Sequence, residues 1–450
     1  MEAGEERVVQ GDGANEDLID RLDAAPLTRL HLAVLSLCGL AFAFDLMEIN
    51  VGGALAAIFS APPHQLGPTR LSWLLSGVYI GAIVGTAIMG PAADRFGRRR
   101  VLAWLLAVLT LTSAMAALSR SPLELTIARG LSGVTLGAFP PLMVVLLTDL
   151  LPARRRGPAI LFVCGFAYLG APLGVFLMRQ LSPIQPLGIE GWRWVFWLGA
   201  LGAGLLGAAL LRWVPESPRW LLGQGRAAEA AAIVARFERS RPVLRALPPI
   251  AAPGATPPAT LLAGRQGFSL LAALYFLAAW STVAFPLLSG AVLMEKGLKL
   301  SDTLLVVGIA TFGPFLGSLL TSTFADAFER RTTLAGCAVV LLIAMAGFLL
   351  SETSLMLAST GLVVTLVAAI YVPMLNLYGA EFADGGRRGG MVTGAWTFNR
   401  IGAALSPLLL LPLLKSEGTG AMFGVMGASL LLSLLVLAWS PRGVASRTVR

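Results

Sequence analysis

Residues 90–100 read Gly-Pro-Ala-Ala-Asp-Arg-Phe-Gly-Arg-Arg-Arg, and they lie between two runs, 71–93 and 101–119, that carry no charge at all. A short charged turn joining two stretches of roughly 20 apolar residues is what a chain shows where it doubles back at a membrane surface. The rest of the sequence has the same texture. Of 450 residues, 56% are apolar and 13% charged, against about 45–50% and about 25% in an ordinary soluble domain. A soluble single-core protein is excluded, because the charges needed to cover its surface are missing.

Reading outward for runs long enough to span gives twelve, near 32–59, 71–93, 101–119, 122–151, 158–180, 192–213, 267–294, 303–325, 332–351, 354–380, 390–414 and 419–440. The expected fold is an all-α membrane protein of twelve transmembrane helices in two six-helix bundles. Its parts are a tail over 1–30, a bundle over 31–213, a linker over 214–265, a second bundle over 266–440 and a tail over 441–450. The first 30 residues are acidic and lack an apolar centre, so the first apolar run is read as a retained span. Of the 34 basic residues, 25 fall in segments on the side of the N-terminus, seven in the opposite loops, and two, Arg129 and Arg400, inside spans. The positive-inside rule then puts both termini in the cytoplasm.

The net charge of +9 comes from these short clusters between spans, so it reports topology and not nucleic acid. Cys38, Cys164 and Cys337 sit in apolar stretches without a CxxC pair, and His31 and His64 are peripheral; neither a disulfide framework nor a metal site is expected. Gly202-x-Gly204-x-x-Gly207 fits a dinucleotide pattern, yet it lies inside a span with no strand before it. It reads as helix packing. No phosphate loop is present, so no cofactor and no direct use of ATP are expected.

The two halves repeat at an offset of 232: Asp94 falls on Asp326, Arg98 and Arg99 on Arg330 and Arg331, Asp149 on Glu381, Arg156 on Arg388, and Phe166, Gly170 and Ala171 on Phe398, Gly402 and Ala403. Duplicated six-span halves hold a substrate near the membrane midplane between them. Within the linker, 226–239 reads as an amphipathic surface helix, and the prolines of 242–258 as an extended tether.

The motif at 90–100 resembles the signature of the major facilitator superfamily, Gly-x-x-x-Asp-Arg-x-Gly-Arg-Arg, through Gly90, Asp94, Arg95, Gly97, Arg98 and Arg99. Pro215-Glu216-Ser217-Pro218-Arg219 after span six resembles a second element, typical of the sugar-porter, organic-ion and aromatic-acid branches. The resemblance covers the chain after about residue 30. It implies a cytoplasmic gate in which Asp94, Arg98, Arg99, Asp149, Arg156, Asp326, Arg330, Glu381 and Arg388 bond between the halves and lock the outward-facing state.

Span one carries Asp45 and Glu48 at mid-depth, three residues apart and so on one helix face. A bare carboxylate in hydrocarbon costs several kcal/mol, which makes such a group a functional candidate. Arg129 is the expected partner: the resemblance to proton-coupled sugar porters implies a span-one Asp paired with a span-four Arg, here Asp45 and Arg129. Aromatic-acid symporters and nicotinate transporters also carry two span-one acids at this spacing, where this chain has Leu46 in place of a small residue. A static structural pair is the alternative reading.

Arg400 stands at the 232 offset from Tyr168, so the duplicated scaffold differs here by a charge. A guanidinium suits a carboxylate, two donors to two oxygens, and the position resembles that of the organic anion transporters. A bond to Asp45 or Glu48 is the structural alternative. Tyr168, Tyr275, Asn376, Asn399, Phe398 and Trp396 complete the expected substrate set. The function expected is uptake of a small organic anion, an aromatic monocarboxylate of the benzoate, hydroxybenzoate or nicotinate kind, driven by protons across the inner membrane. Its partners would be cargo, protons and lipid, without nucleic acid, and it would act as a monomer. A drug or cation efflux exchanger of the same fold, and a non-transporting ligand sensor, are the alternatives.

Overall fold

The computed structural model describes residues 16–244, 265–324, 328–380 and 388–441. Twelve helices in it are long and apolar enough to cross a membrane: Arg29–Ser60, Pro68–Phe96, Arg98–Leu118, Pro122–Leu150, Ala153–Ile184, Gly191–Trp213, Arg265–Glu295, Leu300–Ser322, Arg330–Leu350, Ser354–Gly379, Gly394–Ser416 and Gly418–Trp439. They are spans one to twelve below. An even number returns the chain to the face where it began, called here the basic face because the clusters at 95–100 and 154–156 lie on it. At the 90–100 turn, the two helices are separated by Gly97 alone, at φ +99°. A Cβ there would come within 2.4 Å of the Glu216 carboxylate, so conformation and space both demand glycine.

The internal repeat is visible in the backbone. Span one breaks at Val51, between helices Arg29–Asn50 and Gly52–Ser60, and span seven breaks at Val283, between Arg265–Thr282 and Ala284–Glu295. The breaks are 232 residues apart. Spans two and four are held backbone to backbone by small residues: a Cβ on Gly81 would lie 1.9 Å from the Gly130 carbonyl oxygen, and one on Gly133 2.0 Å from that of Val78. In lipid, where apolar surface is no driving force between helices, such close approach supplies the packing. The glycines of 202–207 do the same, with Gly202 under the Phe44 ring and Gly207 on Leu106.

The halves meet most closely on the face opposite the termini, and they also touch between spans five and eight, where the Phe166 and Phe315 ring centroids are 5.6 Å apart. The outer half of span one lies on the outer half of span seven, so closely that a Cβ on Gly290 would reach 1.9 Å from the Gly53 carbonyl oxygen. The Ser72 hydroxyl donates to the Pro407 carbonyl at 2.8 Å and Arg179 Nε to that of Ser301 at 3.1 Å. Among the described residues no hydrogen bond or ion pair joins the halves on the basic face.

The linker helix is Ala227–Arg239, with Ala230, Val234 and Phe237 buried, as its amphipathic pattern predicts. The sequence reading missed its clasp. Helical residues 16–24 pack along it with Leu22 buried, Arg21 donates from Nε and Nη2 to both oxygens of Glu238 at 3.0 and 2.8 Å, and Leu27–Thr28 pairs antiparallel with Pro242–Leu244. The first three residues of the expected proline tether are therefore strand.

Candidate functional site: a polar cavity between the halves

Between the two bundles is a cavity of about 390 Å³ whose floor, on the face away from the termini, is Gly52, Gly53, Pro286 and Leu287. Among the expected substrate residues Tyr168, Asn376, Trp396, Asn399 and Arg400 line it. The Arg400 guanidinium lies over the Trp396 ring, 5.1 Å from its centroid, where the ring's negative face favours a cation. Its Nε has no hydrogen-bond partner, and no carboxylate of the described residues forms an ion pair with it within 4.0 Å. The ionisable groups that interact with it are Tyr79, Tyr168 and Asp45.

Two expected residues are not in the cavity wall. Tyr275 is fully buried behind it: its hydroxyl donates to the Asn376 side-chain carbonyl, its main-chain carbonyl accepts from Asn399 Nδ2 at 3.1 Å, and its ring meets Trp396 edge-on at 5.3 Å. It shapes the wall without facing the space. Phe398 points away and packs on Phe268, ring centroids 6.0 Å apart. On an α-helix, Phe398 is 200° from Trp396 at about 100° per residue, so both cannot face one cavity. Tyr79, Asn50, Thr282 and Thr311 line it unforeseen; their polarity inside spans was the available signal.

The acids of span one are arranged differently from the expected pair. Arg129 Nη1 lies 3.7 Å from Glu48 Oε1 and donates to the Glu48 main-chain carbonyl at 2.8 Å, with Nη2 near that of Ile49 at 3.5 Å. These carbonyls end the first helix of span one, where the break at Val51 leaves oxygens without helical donors. The guanidinium caps them, which draws it to Glu48, one turn beyond Asp45. Ser113 donates to Glu48 Oε2, and the Phe196 ring centroid lies 5.7 Å from the Arg129 guanidinium carbon. Asp45 is 0% exposed, and neither of its carboxylate oxygens accepts a hydrogen bond. Its charged neighbours are Glu48 and, from the other half, Arg400.

The expected cytoplasmic gate also differs. Asp94 is 79% exposed and 3.6 Å from Arg98, whose Nε is 4.0 Å from Asp149. Asp149 accepts from the Ser217 hydroxyl at 2.6 Å and lies 3.9 Å from Arg219. The Arg99 main-chain N–H donates to Glu216 at 3.0 Å. Asp23 of the N-terminal helix takes both Arg156, at 2.6 Å, and Arg219, at 2.8 Å. These bonds stay within the first half and its flanking segments instead of crossing to the second. Among the described residues no ion pair joins the halves on this face, and the opposite charges these groups meet are local ones. In the second half Arg330 is buried and its Nη1 lies 3.4 Å from the Phe328 carbonyl. Asp326, Glu381 and the side chain of Arg388 lie outside the described residues.

Comparison with known proteins places this architecture. Residues 32–254 match the family model described as Sugar (and other) transporter. The chain is 30% identical over 415 residues, 91% of its length and 93% of the relative's, to the 3-(3-hydroxy-phenyl)propionate transporter of Escherichia coli. It is 27% identical over 401 residues, 83% of its length and 88% of the relative's, to the niacin transporter NiaP of Acinetobacter baylyi. The inward open conformation of the xylose transporter XylE from E. coli superposes with a TM-score of 0.71 at 19% identity, over 93% of this chain and 97% of that one. These relatives are transporters and not enzymes. On this full-length relationship, the chain belongs to the sugar (and other) transporter family of the major facilitator superfamily.

Proposed function

We propose that the protein imports a small aromatic monocarboxylate together with protons across the inner membrane, as a monomer with both termini in the cytoplasm. The observation that carries this reading is Arg400, a guanidinium on the cavity wall with an aromatic ring beneath it and no ion-paired acid among the described residues. A cation held between membrane-spanning helices needs a counter-ion, and a travelling carboxylate supplies one with matching geometry. Two relatives named for an aromatic acid and for niacin support the cargo class.

Proton coupling then falls to Asp45. Arg129 is committed to Glu48 and to the end of the first span-one helix, so Arg400 is the positive charge whose availability to Asp45 changes during transport. When cargo takes Arg400, Asp45 loses that support and binds a proton, since an unpaired carboxylate there costs several kcal/mol. Release of cargo returns the counter-charge and expels the proton. One proton with one monoanion moves no net charge; loading of Glu48 as well would make the cycle gain about 2.3 kcal/mol per 100 mV. The gate residues would engage across the halves when rocking closes the basic face.

Accumulation of radiolabelled hydroxybenzoate or benzoate in proteoliposomes under an imposed pH gradient tests the scheme. Asp45→Asn is expected to keep counterflow exchange and lose pH-driven accumulation, and Arg400→Ala to lose both. A cation exporter or a carrier of neutral cargo would keep its activity in Arg400→Ala. A sensor would bind and never accumulate.

A further inference from the structure

The hydrogen-bonding polarity of the cavity narrows the cargo further, resting on the anion site proposed above. Three threonines in its wall have spent their single hydroxyl proton on main-chain carbonyls, and two asparagines have placed one N–H of the side-chain amide in the same way. Thr282 donates to the Ala278 carbonyl at 2.8 Å, Thr311 to that of Gly308 at 2.7 Å and Thr365 to that of Ala310 at 2.5 Å. Asn50 Nδ2 donates to the Leu46 carbonyl at 2.8 Å and Asn399 Nδ2 to that of Tyr275 at 3.1 Å. All five line the cavity.

A hydroxyl has one proton, and a threonine that has given it to a carbonyl offers only lone pairs. An asparagine with one N–H on a main-chain carbonyl turns its oxygen away from that carbonyl and keeps its second N–H, so it offers an acceptor beside one remaining donor. The assignment for Asn50 and Asn399 is unambiguous, because a carbonyl partner can only accept. Donors into the cavity come from a second group: Arg400, the phenols of Tyr79 and Tyr168 that interact with it, and the amide nitrogen of Asn376, whose oxygen is occupied by the Tyr275 hydroxyl. The cavity wall thus carries Arg400 with further donors, suited to an anion, and, in Thr282, Thr311 and the amide oxygens of Asn50 and Asn399, acceptors suited to groups that give protons.

We propose that the cargo is a hydroxylated carboxylate, whose ring hydroxyls donate to the acceptor set formed by Asn50, Thr282, Thr311 and Asn399 while its carboxylate occupies Arg400. A benzoate without hydroxyls leaves those acceptors dry and unpaired, and a ring nitrogen, as in nicotinate, presents a lone pair to lone pairs. Unpaired polar groups of the site weigh against such analogues more strongly than an added favourable contact weighs for the matched one.

The test is equilibrium binding of 3- and 4-hydroxybenzoate, their methoxy counterparts and nicotinate to the full-length protein in nanodiscs. A methoxy group keeps the oxygen and loses the proton. The wild-type protein is expected to prefer the better hydroxybenzoate over its methoxy partner by about 10-fold, the scale of one or two hydrogen bonds, and over nicotinate by at least as much. Thr311→Val, of the same shape, and Asn50→Ala, whose side chain bonds only within its own helix, are each expected to shrink the hydroxy-to-methoxy ratio to below about 3-fold. A variant that only loosened the fold would weaken both ligands alike and leave the ratio standing. The corresponding benzamides separate this inference from the anion reading: if acids bind no better than amides the anion site fails, and the hydroxy-to-methoxy ratio among the amides still decides the polarity. Equal binding of the hydroxyl and methoxyl partners, or binding of neither, overturns the inference.

Discussion

Arg129 and Arg400 both lie inside membrane-spanning helices, one in each half, and they keep different company. Arg129 of span four is 2% exposed and is held by the Glu48 carboxylate and the carbonyls of Glu48 and Ile49. Arg400 of span eleven faces the cavity over Trp396 without an ion pair among the described residues. The first half consumes its positive charge in its own architecture; the second presents its charge to the space between the halves. A buried arginine in a transporter therefore has to be judged by what satisfies it, and not by its depth.

Spans five and eleven show how duplication permits this. Phe166-Ala-Tyr168-Leu-Gly170-Ala171 and Phe398-Asn-Arg400-Ile-Gly402-Ala403 are aligned at the offset. Gly170 lies against span one and Gly402 against span seven, where an added Cβ would sit 2.0 Å from the Ala43 carbonyl oxygen and 2.8 Å from that of Phe276. The close approach is kept in both copies. The residue two before it faces the cavity in both, and is the one that changed from phenol to guanidinium.

The contrast between the arginines can be broken most forcefully at Glu48. Glu48→Ala leaves Arg129 as an uncompensated buried charge and is expected to cost about 3–5 kcal/mol of stability, seen as a large fall in thermal unfolding temperature, whereas Arg400→Gln should leave that temperature nearly in place. Equal losses would mean that Arg400 is structural too. Next in size, Gly170→Ala is expected to destabilise by about 1–3 kcal/mol through overpacking, and Gly402→Ala by less, because its Cβ has more room; the same thermal assay ranks them. Arg400→Lys keeps the charge but loses the two-donor fork, so the KM for carboxylate counterflow should rise about 10-fold. Tyr168→Phe removes one phenol beside Arg400 and should raise that KM only a few-fold, roughly the value of one hydrogen bond. An effect as large as that of Arg400→Lys would move the anion site toward span five.

Much of the fold was legible because lipid enforces it: charge-free runs of span length, basic clusters on one face and the 232-residue repeat. Arg400 stood out for the same reason, as the charge that the repeat did not preserve. What stayed hidden depends on where helices break and turn. Nothing in the local sequence of Asp45 and Glu48 says which acid Arg129 will meet; the break at Val51, which exposes carbonyls beside Glu48, decides it. Tyr275 and Trp396 are both aromatic and both central, yet one forms the cavity wall and the other sits behind it. Asp23 was one acid among several in a tail, and its hold on Arg156 and Arg219 follows from the clasp around the linker helix.

The central claim is that Arg400 holds the carboxylate of the cargo. Its most direct test is the ratio of dissociation constants for a hydroxybenzoate and its uncharged amide, measured on wild-type protein and on Arg400→Gln. The wild-type protein should favour the acid by about 100-fold, the scale set by a desolvated charge pair, and Arg400→Gln should bring the ratio close to one. A ratio that survives the substitution, or a wild-type protein indifferent to the charge, would contradict the account.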